Sequence, residues 1–335
     1  MRKSKHSRRE LLPPVELPQT LEGAIKDYED WSNRYFRNVE SRSKIAEPLF
    51  HYTDLRGFEG ILKSGQIWFT DYRHLNDETE LMHGIGLAKA MLARRAKKGG
   101  FHAFLFLWID DLLTKRNFGR ALAFFIASFS KNRDDLHQWR AYADDGRGVA
   151  IGFSSKLFQP NEKKHGDPRR NTFAGPVRYV DAQTRARHAK GFNKASSILD
   201  AALRYARRHL RYKEIGMEFL NQLARSVIAS PLIWNALTCK HHGYKHEAEV
   251  RLVILGQVSK FRGKLSKRQR NGKKVPYIPY DVPLQDSGTI AEIAIGPAAP
   301  NGTEAKIRRI LKSARVSYPV RIRRSRIPYR SFKVP

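Results

Sequence analysis

The sequence predicts an α+β fold: a mixed, mainly antiparallel sheet with helical insertions. Short apolar runs of strand character are spread along the chain, and segments with helical periodicity lie between them. Several of the strands are also close neighbours in sequence, as expected for α+β rather than alternating α/β architecture.

Taken in order, residues 1–20 read as a mobile basic arm, with five Lys and Arg before Glu10. Residues 21–44 read as a packing helix, with Ile25, Tyr28, Trp31 and Tyr35 at helical spacing. Residues 45–335 read as a single α+β domain with a basic helical insertion at about 181–230.

That domain opens on a strand, Leu49-Phe-His-Tyr-Thr53, and a helix, Leu55 to Lys63, striped by Leu55, Phe58, Ile61 and Leu62. Gly65 suits the left-handed position after a helix, and Gln66 to Thr70 forms the next strand. Asp77 and Glu80 have capping-box spacing before a helix at about Glu78 to Lys98, and Phe101 to Lys115 continues as a second helix.

Ala121 to Ser130 is the strongest buried strand, and alternation puts Ser128 and Ser130 on one face. A short helix follows at Asp134 to Ala143, carrying Trp139 and Tyr142, then a turn at 145–148 and a strand at Val149 to Phe153. Residues 159–175 read as a polar loop, and 181–228 as two basic helices. Pro231 to Lys240 and Glu249 to Leu255 read as strands, and Lys260 to Lys274 as a solvated loop. Strands at Val275–Tyr280, Ile290–Ile295 and Val320–Arg323, with a helix at Thr303–Ala314, complete the expectation.

The net charge of +31, from 63 Lys and Arg against 32 Asp and Glu, points to a polyanionic partner, of which nucleic acid is the commonest. The segments Arg185–Lys213, Lys260–Lys274 and Lys306–Arg330 are the candidate basic face, with a merely solvated surface as the bland reading. The single cysteine, Cys239, excludes an intrachain disulfide and a cysteine-rich zinc site. No apolar run approaches the roughly 18 residues of a spanning helix, and no signal-type apolar core follows the basic start. A soluble, cytoplasmic protein without a membrane partner is expected.

The chemistry-bearing stretch is Tyr244-Lys-His-Glu-Ala-Glu-Val-Arg251. If it is extended, Glu247, Glu249 and Arg251 share one face. Two close carboxylates raise each other's pKa while an arginine lowers both. Such a trio is either a site acid pair or an edge-strand ion pair. His241, His242, His246, Glu247 and Glu249 also admit a metal-dependent nuclease, although the histidines lack a recognised zinc spacing and no metal site is expected. Singly, His51 reads as a strand-end histidine, Ser128 and Ser130 as a strand terminus, and Trp139 with Tyr142 as core.

Together the motifs resemble the bacterial family catalogued as domain of unknown function 2971. The matching pieces include Phe50-His-Tyr-Thr53, Ile61-Leu-x-x-Gly65, Ser128-Phe-Ser130, Trp139-x-x-Tyr142, Gly148 to Phe153 and Tyr244-x-x-Glu-x-Glu-x-Arg251. That family carries no biochemical activity in its name. The same positions are distantly similar to the ADP-ribosyltransferase fold, which has a strand ending in His or Arg, a Ser-x-Ser strand and a later Glu or Glu-x-Glu, in that order.

That resemblance implies NAD as cofactor. His51, Tyr52 and Thr53 would hold it, Ser128 and Ser130 would shape its pocket, and Glu249 and Glu247 would be the catalytic pair. Gly65 and Ser128 are farther apart than in that family, and the middle position of Ser-Phe-Ser is Phe129 rather than threonine. An ADP-ribosyltransferase acting on nucleic acid or a nucleic-acid-associated protein is therefore one expectation. A non-enzymatic nucleic-acid-binding or interaction protein is the alternative, and a metal-dependent nuclease a lesser one.

Overall fold

The computed structural model describes residues 15–39, 48–75, 80–114, 122–154, 157, 172–261, 263–270 and 272–331. Its centre is the apolar strand Leu122–Ser130 (β3), whose side chains are buried on both faces over most of its length. Ahead of it lie helix Gln19–Val39 (α1), strand Leu49–Thr53 (β1), helix Leu55–Ser64 (α2), strand Gln66–Asp71 (β2) and helices Glu80–Ala96 (α3) and Gly100–Thr114 (α4). After it come helix Leu136–Tyr142 (α5), strands Val149–Phe153 (β4) and Thr172–Pro176 (β5), and helices Asp181–Arg211 (α6), Lys213–Val227 (α7) and Ile233–Leu237 (α8). The chain ends with strands Glu249–Gln257 (β6), Ser266–Arg270 (β7), Lys273–Asp281 (β8) and Ile290–Ile295 (β9), helix Thr303–Ser313 (α9) and strand Arg321–Arg324 (β10).

The strands form one ten-stranded sheet in the order β10-β9-β4-β1-β3-β2-β8-β7, with β6 on β3 and β5 on β6. The pairings are antiparallel except β9–β10. The mixed, mostly antiparallel α+β architecture is thus the one expected.

One edge of β3 pairs with β6 throughout, from Leu122↔Gln257 to Ser130↔Glu249. Its other edge is divided. β1 meets it at Phe50↔Ser130, and β2 meets it at Thr70↔Ile126 and Asp71↔Phe125. Between these points β1 and β2, joined by α2, part from the strand and leave a wedge beside Ala127–Phe129.

Alternation assigns each sheet face its own core. On one face Phe129, Val149, Ile151, Val250 and Leu252 pack under α2 (Phe58, Leu62) and α9 (Ile307, Leu311). On the other, Phe124, Ile126 and Val253 pack under α1, α3, α4, α6, α7 and α8. Farther along that second face, Phe50, Tyr52, Ala150 and Ala294 pack with Trp139 of α5. Between the two apolar blocks β3 and β6 carry Ser128, Ser130, Glu249 and Arg251, so the polar residues sit where the helical cover is interrupted.

Four expectations change. Pro231–Lys240 is not a strand but a π turn, Ile228–Leu232, running into α8. Ile233 to Leu237 are buried on every side, and a short run without polar alternation does not distinguish a core helix from a core strand. Lys260–Lys274 is not a loop: β7 and β8 form a hairpin, with Gly272 at φ 73°. The polar loop at 159–175 ends in β5, and its residues 159–171 lie outside those described. The extended reading of 244–251 fails before Glu249, because 242–247 form a 3-10 turn.

Asp77 of the expected capping box and the arm at 1–14 lie outside the described residues. No described helix is long and apolar enough to cross a membrane.

Candidate functional site

The wedge is built from the β1–α2–β2 unit. Asp54 caps α2, its carboxylate accepting from the Gly57 amide at 2.6 Å. A β-carbon on Gly57 would stand 2.2 Å from the Thr53 hydroxyl, so glycine lets the first helical turn close against the strand end. Gly65 ends the helix at φ 64°, and β2 starts one residue later. The resulting cavity of about 840 Å³ is lined by His51, Tyr52 and Thr53 from β1, Ser128 and Ser130 from β3, and Glu247 and Glu249.

His51 is half-buried, and its Nδ1–H donates to the Ser128 carbonyl at 3.2 Å, on the stretch of β3 that neither β1 nor β2 covers. Burial lowers its pKa, and the nearby positive charge of Arg268 adds to the effect. A neutral ring with its proton on Nδ1 leaves Nε2 as an acceptor.

Beside it lies a buried charge cluster. Arg251 holds both oxygens of Glu249, Nε to Oε1 at 2.9 Å and Nη2 to Oε2 at 3.0 Å, and donates from Nη1 to the Leu237 carbonyl at 2.8 Å. Lys240 Nζ reaches Glu247 at 2.5 Å and Glu249 at 3.5 Å. Tyr142 donates to the other Glu247 oxygen at 3.0 Å, and Lys240 lies 4.5 Å over the Tyr244 ring. Two carboxylates thus face two cations, which is the pairing that buried charges require.

Burial alone would raise the Glu249 pKa. Arg251 and Lys240, helped by hydrogen bonds from Arg251 and the Ser128 hydroxyl, overcome it and take the group down to about 2. Glu249 is therefore ionised at neutral pH. Burial, together with the charge of Glu247, pushes the Tyr142 hydroxyl up to about 12, so it stays a proton donor.

The two glutamates do not share a strand. They converge because Ala248 between them adopts a left-handed conformation, φ 43° and ψ 44°. That turn brings Glu247 back over Lys240 while Glu249 starts β6. Ser130 fixes the same turn, its hydroxyl donating to the Glu247 carbonyl at 2.7 Å.

The sequence-derived residues differ in what their polar groups do. Ser128 is exposed to the cavity and bonds Glu249, whereas Ser130 is buried and braces the turn. Tyr52 borders the cavity, but its hydroxyl donates to the Asn132 carbonyl at 2.8 Å and its ring meets Trp139 edge-on. Lys240 was not singled out in the sequence, nor was Tyr179, whose hydroxyl accepts from the Glu249 amide at 2.8 Å. Tyr142, read there as core, is a ligand of Glu247. Among the described residues, the trio close enough to share a metal ion is His83, Asp181 and Cys239, with the His83 ring 6.2 Å from that of His241.

Residues 138–252 match the model of a family described as Protein of unknown function (DUF2971). The matched span holds Tyr142, Lys240, Glu247, Glu249 and Arg251. β1, α2 and Ser128 lie outside it. No curated protein and no solved structure matches the chain.

Proposed function

We propose that the wedge between β1 and β2 takes NAD, and that the protein transfers ADP-ribose to nucleic acid or to a nucleic-acid-associated protein, on an ADP-ribosyltransferase-like fold. The observation that carries this reading is convergence: His51, Ser128, Glu247 and Glu249 come from distant parts of the chain and border one cavity around an ionised carboxylate. A cavity of about 840 Å³ also lies within the range of small-molecule and cofactor sites.

NAD would supply an ADP-ribosyl group: cleavage of its glycosidic bond expels nicotinamide with the bonding electrons and leaves positive charge on the ribose, and the acceptor's oxygen or nitrogen bonds to that carbon as it gives up its proton. The residues at hand suit that chemistry. Neutral His51 offers Nε2 to a ribose hydroxyl, and Thr53 adds a hydroxyl at the rim. Glu249 provides a fixed negative charge, held in place before any ligand arrives, which is how a charged transition state is stabilised without reorganisation. Glu247, the less buried of the two, meets the acceptor. Arg251 and Lys240 keep Glu249 ionised and hold both carboxylates in register, at the cost of offsetting part of their charge.

The test is incubation of the full chain with labelled NAD and cellular nucleic acid and protein, beside Glu249→Gln. Label should pass to an acceptor, and the variant should lose two or more orders of magnitude in rate. Absence of labelling together with absence of NAD binding would leave a binding protein, the reading supported by charge alone.

A further inference from the structure

The β7–β8 hairpin extends the sheet beyond the wedge and carries a second arrangement of side chains. Trp68 of β2 leaves 40% of its surface exposed, while its neighbours Ile67 and Phe69 turn into the core. Its ring stacks on Tyr277 of β8, with centroids 4.4 Å apart and planes inclined by 27°. The Arg268 guanidinium lies 5.5 Å from the Trp68 centroid and donates to the Thr70 hydroxyl at 3.1 Å. The Nε of that guanidinium is buried and has no hydrogen-bond partner.

The surroundings are basic. Lys264, Lys267, Arg268, Arg270, Lys273 and Lys274 fall within eleven residues that contain no acid. Trp68, Arg268 and Arg270 also line the wedge cavity alongside His51. Trp68 and Arg268 thus open onto the same groove as the site, and Tyr277 backs the Trp68 ring.

We infer that Trp68, Tyr277 and Arg268 form a stacking platform for an unpaired base of single-stranded nucleic acid, whose phosphates run along the basic hairpin. An aromatic face beside a guanidinium holds a base by stacking and cation–π attraction, without selecting its identity. Duplex does not fit the arrangement, because its base faces are already covered by their neighbours. The hairpin carries more cations than the two phosphates of a dinucleotide require, which favours the acceptor strand over the adenine of the cofactor. The purpose of the platform rests on the proposed transfer reaction: it presents an acceptor beside Glu247. The binding itself stands independently of that reaction.

The test measures fluorescence anisotropy of a fluorescein-labelled oligo(dT) and of a duplex of the same length, with the full chain and no NAD. Single strand should bind more tightly than duplex, and its affinity should fall steeply with salt. Trp68→Ala should weaken single-strand binding about tenfold, and Trp68→Phe should restore most of it. Circular dichroism should be unchanged in both, since the ring is half in solvent. Arg268→Gln should weaken binding as well. Equal affinity for duplex, no binding of the oligonucleotide, or an unaltered Trp68→Ala would overturn the inference. A Trp68→Ala protein that loses NAD in calorimetry but keeps the oligonucleotide would assign the platform to the adenine instead. Because the binding assay contains no NAD, failure of the transfer reaction would not change its outcome.

Discussion

Arg251 and Glu249 form a bidentate pair on the same face of one strand, two residues apart and both almost fully buried. Breaking it from one side leaves an uncompensated charge inside the protein. Arg251→Leu should therefore cost about 3–5 kcal/mol. The double variant Glu249→Leu/Arg251→Leu should lose less than the sum of the single changes. Denaturant unfolding of the three proteins measures both, and simple additivity would mean that the pair is not coupled.

Acid should destabilise the fold in two stages. Burial holds the His188 pKa down at about 4, from an ordinary 6.5, so this histidine is neutral when folded and takes up a proton on unfolding. Its contribution is complete above pH 6.5 and is lost as pH falls towards 4. Glu249, at about 2 against an ordinary 4.5, contributes fully above 4.5 and loses that contribution between 4.5 and 2. Thermal midpoints should drop through both windows, and His188→Gln should shrink the upper one without abolishing it, because burial lowers the His51 pKa as well.

The β1–α2–β2 unit was legible to within a residue or so because local signals agree there: a period-3.6 stripe and a glycine at the helix end. The hairpin at 266–281 was hidden by its own charge. With basic residues on both faces, β7 shows no alternation, although the Asn-Gly pair at 271–272 is the sequence signal for such a turn. Lys240 escaped notice for a related reason: among 63 Lys and Arg no single lysine stands out, and only the packing shows that this one is 5% exposed. The left-handed Ala248 carries no sequence signal at all, yet it decides that Glu247 and Glu249 meet.

Gly57 tests how tightly the wedge is built. Gly57→Ala drives a methyl group into the Thr53 hydroxyl, and the strand end or the first turn of α2 must move. A loss of about 1–3 kcal/mol is expected. Gly57→Ala combined with Thr53→Ala should recover part of it. Full stability in Gly57→Ala alone would show that the strand–helix corner yields freely.

We propose that residues 45–335 fold as a single unit; the sheet, which draws strands from residue 49 to residue 324, supports this. Limited proteolysis should leave this region as one cooperatively unfolding fragment. Two fragments that separate and refold independently, split near residue 170, would contradict it.

NAD is proposed to sit in the wedge and to be held there through His51. The most direct measurement is calorimetric titration of NAD into the wild-type protein and into His51→Leu, with circular dichroism confirming that both are folded. Saturable binding at one site per chain is expected, weakened about tenfold in the variant through the loss of one hydrogen bond to a buried polar partner. Equal binding by both proteins, or no binding by the wild type at millimolar NAD, would contradict it.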